Sequence, residues 1–232
     1  MRTDLAEGIL AARAERRPIA LLTWLASGKQ SLLSPEEAAQ HPGLAEALAD
    51  AFRLDRSATI GTPDGELFIR IFNPPLRLII IGAVHAAQFL LPLAHMIGHD
   101  VTIIDPREAF ATEERFPSAK LITEWPEDGL PAVGVDRRTA IIALTHDAKI
   151  DDIAIRLGLE MGAFYVGALG SKRTHAQRVE RLKAAGMSEA DIARLHAPIG
   201  LDIGAQGPAE IAVSIMAQVV AVLRGKAEGS SR

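Results

Sequence analysis

Apolar and polar positions alternate in two different ways along the chain. From residue 76 onward, short unbroken apolar runs (LIII at 78–81, VTII at 101–104, KLIT at 120–123, AIIAL at 140–144, AFYVGA at 163–168) are separated by segments whose apolar residues recur every three or four positions. Unbroken runs suit strands covered on both faces, and the longer period suits helices with one buried stripe. The helical segments fall at 85–97, 147–159, 171–185, 188–195 and 208–224. Such alternation predicts an α/β fold, a Rossmann-like open parallel sheet of strand order 3-2-1-4-5, over residues 76–225. Pro92 removes a backbone donor inside the first of these helices and is expected to kink it. The segment 208–224 has the most continuous apolar face, so it is expected to cross the sheet or a subunit interface.

Residues 1–75 follow a looser pattern and predict a small N-terminal α+β region. Residues 2–15 read as a helix ending near Arg16-Arg17-Pro18. The run IALLTWLA at 19–26 is too short for periodicity to separate a strand from a buried helical turn. Ser34-Pro35-Glu36-Glu37 is a helix start, with a capping hydroxyl, a proline at the first position and acids in the first turn. Residues 44–52 continue as helix, and 57–71 read as a hairpin turning at Thr62-Pro63-Asp64-Gly65. Asn73-Pro74-Pro75 is a stiff junction. Residues 226–232 read as a disordered tail.

Composition narrows the function classes. A net charge of -4 argues against general nucleic-acid binding, although a local basic pocket is compatible with it. The chain contains no cysteine, which excludes disulfides, thiolate metal sites and cysteine nucleophiles and fits a reducing compartment. The start MRTDLAEG has no signal-peptide core, and no apolar run approaches the length of a membrane span. Cytoplasmic localisation is the expectation.

Candidate chemistry lies where the strands end, because ligands of open α/β sheets bind outside the carboxyl ends of the strands. Gly82 and His85 follow the first strand, within a turn Gly82-Ala83-Val84-His85-Ala86-Ala87 that matches G-x-G-x-x-A except at Val84. The middle glycine normally lets a pyrophosphate approach, so Val84 weakens the case for an ordinary dinucleotide. Asp105 stands where a ribose hydroxyl would be bound, and Arg107 is a cation that can face phosphate or solvent. Thr145, His146 and Asp147 follow the fourth strand; His146 is a candidate base and Asp147 a candidate helix cap. His85, His146 and Asp105 would make a metal site only if the fold gathers them. Gly170, Ser171, Lys172 and Arg173, followed by Thr174, combine free amides, a capping hydroxyl and two cations, the strongest anion signal in the chain. Finally, the Gly- and Pro-rich span 197–210 bears Asp202 and Glu210 and leads into the long helix.

The same segments carry a resemblance. IIGAVHAAQFL at 80–90, VTIIDPR at 101–107, ERFP at 114–117, LTHD at 144–147, YVGALGSKRT at 165–174 and HAPIGLDIGAQGPAEIAVSI at 196–215 resemble the XdhC/CoxI family. Its members are accessory proteins that mature molybdenum hydroxylases such as xanthine dehydrogenase and carbon monoxide dehydrogenase. The resemblance implies binding of the molybdenum cofactor (molybdopterin or its cytosine dinucleotide form), protection during sulfuration, and insertion into the apoenzyme. It implies two partners, the hydroxylase apoenzyme and a cysteine desulfurase. The family turn usually reads Gly-Ala-Gly-His, so Gly82, Ala83 and His85 carry over and Val84 departs. Members often have an N-terminal glycine-rich segment and a cysteine, neither of which this chain has there, so no cysteine is present to relay sulfur.

On this basis the amides at Gly82 and the turn at Gly170, Ser171, Lys172 and Arg173 are assigned to phosphate. Asp105 and Asp202 are assigned to the pterin or a ribose, and His85 and His146 to the dithiolene or metal end. The expected role is a cofactor-binding maturation factor rather than an enzyme. Two rivals are an NAD(P)-dependent oxidoreductase, with His146 or Lys172 as the acid, and a non-catalytic Rossmann-like scaffold. A homodimer is compatible with the long apolar helix.

Overall fold

A computed structural model describes residues 3–226. The chain divides into two compact units, Met1–Pro74 and Pro75–Arg232. The expected tail lies outside the described residues except for Lys226, as does Arg2 of the expected first helix.

The first unit consists of α1 (Thr3–Ala14), β1 (Ile19–Trp24), β2 (Gln30–Leu33), α2 (Pro35–Ala39), α3 (Ala45–Leu54), β3 (Ala58–Thr62) and β4 (Gly65–Phe72). The strands form an antiparallel sheet in the order β2-β1-β4-β3. Strand alternation sends Ile19 and Leu21 toward Leu5, Ile9 and Ala12 of α1, and Ala20 and Leu22 toward Ala38, Leu48 and Ala51 of α2 and α3. That settles the ambiguous run after Pro18 as a strand. The helix start at Ser34 is a full capping box, with Glu37 N donating to Ser34 Oγ and Ser34 N to Glu37 Oε2. The expected hairpin forms between β3 and β4. Sequence reasoning overlooked β2, whose four residues are all half-buried and show no alternation.

The second unit runs β5 (Arg77–Ile81), α4 (His85–Met96), β6 (Asp100–Ile104), β7 (Lys120–Ile122), α5 (Pro126–Val133), β8 (Thr139–Ala143), α6 (Ala148–Glu160), β9 (Tyr165–Ala168), α7 (Lys172–Ala184), α8 (Glu189–Ile192), β10 (Leu195–His196) and α9 (Pro208–Leu223). All sheet pairings are parallel, in the order β10-β9-β8-β5-β6-β7. The expected order is present, extended at one edge by the two-residue β10, whose first residue, Leu195, was expected to end a helix. In β5, Leu78 and Ile80 face a layer built from α4 and α9, while Ile79 and Ile81 face α6 and its neighbours. Each such isoleucine is fully buried and contributes roughly 1.5–3 kcal/mol.

One helix accommodates a proline and another was not expected. α4 runs unbroken through Pro92, which is exposed, so the missing donor lies on the solvent side. α5 was not anticipated because it contains Gly129 and Pro131. Gly129 is where α5 touches the sheet: a Cβ there would stand 3.2 Å from Ile104 and 3.3 Å from Ile122.

α9 packs along α4 and against β9. Its buried Gln218 offers Oε1 to Tyr165 Oη at 2.6 Å and to the Gly200 amide at 2.8 Å, tying β9, α9 and the loop between β10 and α9 together. Gln218→Leu keeps the volume and removes this shared acceptor. It is expected to cost about 1–3 kcal/mol, read as a lower urea midpoint at unchanged m-value. An unchanged midpoint would show that the network contributes nothing.

Candidate functional site

The carboxyl ends of β5, β6, β8 and β9 form one rim, and hydrogen bonds join its parts. β5 is followed by Gly82, whose φ of 107° belongs to the left-handed region. A Cβ there would lie 2.7 Å from Thr145 Cγ2 and 3.3 Å from the Thr145 amide nitrogen, so only glycine lets the turn pass this close to the end of β8. Val84 precedes α4 without a side-chain cap, and His85 opens the helix exposed to solvent, its ring 5.3 Å from that of Phe89.

Asp105, at the end of β6, is fully buried. Its Oδ2 accepts from the Ala83 amide and from Arg107 Nη2, both at 2.8 Å. Its Oδ1 accepts from Arg107 N at 3.0 Å and Nε at 2.8 Å. Two donors on each oxygen leave the carboxylate saturated. Burial alone would push this carboxyl up. The Arg107 side chain, the amides of Ala83 and Arg107, and the Arg107 charge outweigh it and hold the group below the usual carboxylate range. Asp105 is therefore spent on bracing the turn after β5, in contrast to the expected ribose acceptor. Arg107 gains a fixed position, with its charge raised in stability first by the Asp105 bond and further by Asp147 and Asp151.

The turn after β8 is organised by a residue that sequence reasoning missed. Asp151, buried in α6, accepts from Thr145 Oγ1 at 2.7 Å, the Thr145 amide at 3.2 Å and the His146 amide at 3.1 Å. These bonds hold His146 at a φ of 62°, which strains any residue other than glycine. Desolvation raises the Asp151 carboxyl above its ordinary range despite those bonds and the charge of Arg178. Asp147 is the helix cap, accepting from Lys149 N at 2.9 Å.

The link to β9 is Arg178 of α7, itself buried. Its Nη2 donates to Leu169 O at 3.2 Å and stands 4.0 Å from Asp151 Oδ2. Four buried side-chain nitrogens among the described residues have no hydrogen-bond partner, and three belong to α7: His175 Nδ1 and Arg178 Nε and Nη1. At the start of α7, Gly170 has a φ of 145° and Ser171 Oγ caps Thr174 N at 3.1 Å. Lys172 and Arg173 are exposed on the first turn, whose remaining amides point out of the helix end.

The loop between β10 and α9 follows a cis Ala197–Pro198 bond and is tied to the end of β9 by the Ile199 amide donating to Ala168 O. Asp202 is exposed on this loop, and Glu210 accepts from Gln206 N at 2.8 Å, closing the loop on itself. Asp151 and Arg178 thus link Thr145 and His146 to Leu169, just before Gly170 and Ser171, while Asp105 braces Arg107 and the turn that Gly82 opens. Neither Asp202 nor Glu210 enters that network. No group of three His, Cys, Asp or Glu able to hold a metal exists among the described residues, which removes the metal site considered for His85, His146 and Asp105. The signal for Asp151 and Arg178 was a charged residue at a position facing the core of an amphipathic helix.

Residues 78–219 match the XdhC Rossmann domain. The chain is 35% identical over 155 residues to a protein of Bacillus subtilis (strain 168) named as a probable xanthine dehydrogenase component, covering 66% of this chain and 45% of that protein. It is 31% identical over 159 residues to the molybdenum cofactor insertion chaperone PaoD of Escherichia coli (strain K12), covering 68% and 44% respectively. The chain thus spans less than half the length of these curated relatives. Its fold resembles a crystal structure described as a xanthine dehydrogenase from Bacillus halodurans, with a TM-score of 0.68 and 24% identity, covering 98% of this chain and 66% of that one.

Proposed function

The chain belongs to the XdhC family through its Rossmann domain, and on that premise we propose that it binds the molybdenum cofactor and supports its insertion into a molybdenum hydroxylase. The observation that carries the proposal is the rim itself, where an anchored cation at Arg107 and the cationic start of α7 flank the turns after β5 and β8. A phosphorylated pterin fits these donors: the amides, Lys172 and Arg173 at the start of α7 suit its phosphate. Arg178 Nη1, buried in the same helix without a hydrogen bond, adds donor capacity there. His85 and His146 stand at the turns where the dithiolene end would lie. Asp202, on the loop after β10, supplies an exposed acceptor beside the end of β9.

When bound, the cofactor supplies the molybdenum dithiolene centre that the hydroxylase uses. The role of this chain is to hold it, keep it from water and release it to the apoenzyme. Sulfuration falls to a cysteine desulfurase partner, because this sequence has no cysteine. An NAD(P) oxidoreductase is disfavoured by the saturated Asp105 carboxylate, which has no acceptor left for a ribose, and by Val84.

Anaerobic titration with molybdopterin and with its cytosine dinucleotide form tests the proposal. Lys172→Ala/Arg173→Ala is expected to weaken binding about 10–100-fold, the value of one or two charge-assisted hydrogen bonds. Unchanged affinity would remove the phosphate role. NAD(H) and NADP(H) at saturation are expected to leave the melting temperature unchanged; an upward shift would favour the oxidoreductase.

A further inference from the structure

Two phenylalanines near the rim are exposed. Phe89 is 37% exposed on α4 and Phe110 is 46% exposed on the loop after β6. An isolated exposed phenylalanine is ordinary, but these two are brought to the same edge and one is locked. The Phe110 amide donates to Arg107 O at 2.9 Å and its carbonyl accepts from Arg115 Nη1 at 2.6 Å. Arg115 O in turn accepts from Nε2 of Gln88, the residue beside Phe89, at 3.5 Å. Arg115 therefore couples the first turn of α4 to the loop carrying Phe110.

The Phe110 ring lies under the Arg107 guanidinium, 4.8 Å from centroid to Cζ. Arg107 is held in two places by Asp105, so the ring and the guanidinium form a stack whose orientation is set by a buried carboxylate. The Arg107 side chain remains 37% exposed.

We infer that the Phe110–Arg107 pair is a subsite for a flat heteroaromatic ring. Stacking on a phenyl ring or a guanidinium plane accepts any such ring, and the edge of the guanidinium orients one that carries carbonyl or ring-nitrogen acceptors. This inference rests on the cofactor reading above and gives the ligand a direction: pterin ring over β5 and β6, phosphate at α7 beyond β8 and β9. The two ends are three strand spacings apart, roughly 14 Å at about 4.8 Å per strand. Separate groups therefore hold them, and they can be tested separately.

The probe is 6-hydroxymethylpterin, which has the ring and lacks the phosphate, followed with the full chain by quenching of its fluorescence. Saturable quenching is expected in the wild type, weakened about tenfold in Phe110→Leu and kept within threefold in Phe110→Tyr. A loss below threefold in Phe110→Leu, equal losses in the leucine and tyrosine variants, or no saturable quenching by the wild type would overturn the subsite. Binding of the intact cofactor by a chain that ignores the free pterin overturns this subsite alone. Failure to bind the intact cofactor overturns the function proposed above.

Discussion

Asp105→Asn is expected to destabilise the second unit by about 3 kcal/mol, since it weakens a fully buried carboxylate that four donors share. Asparagine keeps one carbonyl acceptor but places an NH2 against donors from Ala83 or Arg107. The loss reaches beyond stability: Arg107 is no longer fixed, and with it the Phe110 stack. The wild-type carboxyl is depressed in the folded protein, so the stability it contributes is fully present above its unfolded value, near 3.8. That stability is lost as pH falls through the lower folded value. Urea titrations of both proteins at pH 7 and in steps below pH 4 check this. The gap between them should narrow as the wild type takes up the proton, and a gap independent of pH would show that the Asp105 charge is not what braces the turn.

Gly82→Ala is expected to cost about 2–6 kcal/mol from two sources. A φ of 107° strains an L-residue by about 1–3 kcal/mol. The new methyl also meets Thr145 Cγ2 at 2.7 Å, an overpacking of about 1–3 kcal/mol. The contributions separate experimentally. Thr145→Ser removes Cγ2 and keeps the hydroxyl that Asp151 accepts, so Gly82→Ala measured in that background should recover part of the loss while the backbone strain persists. Full recovery would show that the turn has no intrinsic need for glycine, and no recovery would place the whole cost in the backbone. Val84 stands two residues on in an extended conformation, which valine adopts freely.

Much of this protein was legible in the order of its residues. The parallel sheet followed from unbroken aliphatic runs, because a strand covered on both faces must be apolar at every position. Ser34, Asp147 and Ser171 were readable as helix starts because capping is a local competition for amides within four residues. The same locality explains what was misread. β2 and β10 exist only because longer strands pair with them, and α5 tolerates Gly129 because the sheet comes within contact of it.

At the rim, the sequence determined which residue types stand at the strand ends, and it did so through chain order alone. Their roles were decided by distances between segments far apart in the chain. Asp105 and Arg107 were both singled out. That Arg107 would saturate Asp105 depended on the turn after β5 bringing Ala83 to the same carboxylate. Asp151 and Arg178 were overlooked because each is an ordinary charged residue of its own helix. Only the packing of α6 and α7 beside the ends of β8 and β9 buries them and sets Asp151 under Thr145 and His146. Propensity and capping act within a turn or two and are written locally, whereas burial and charge pairing depend on which segments the sheet brings side by side.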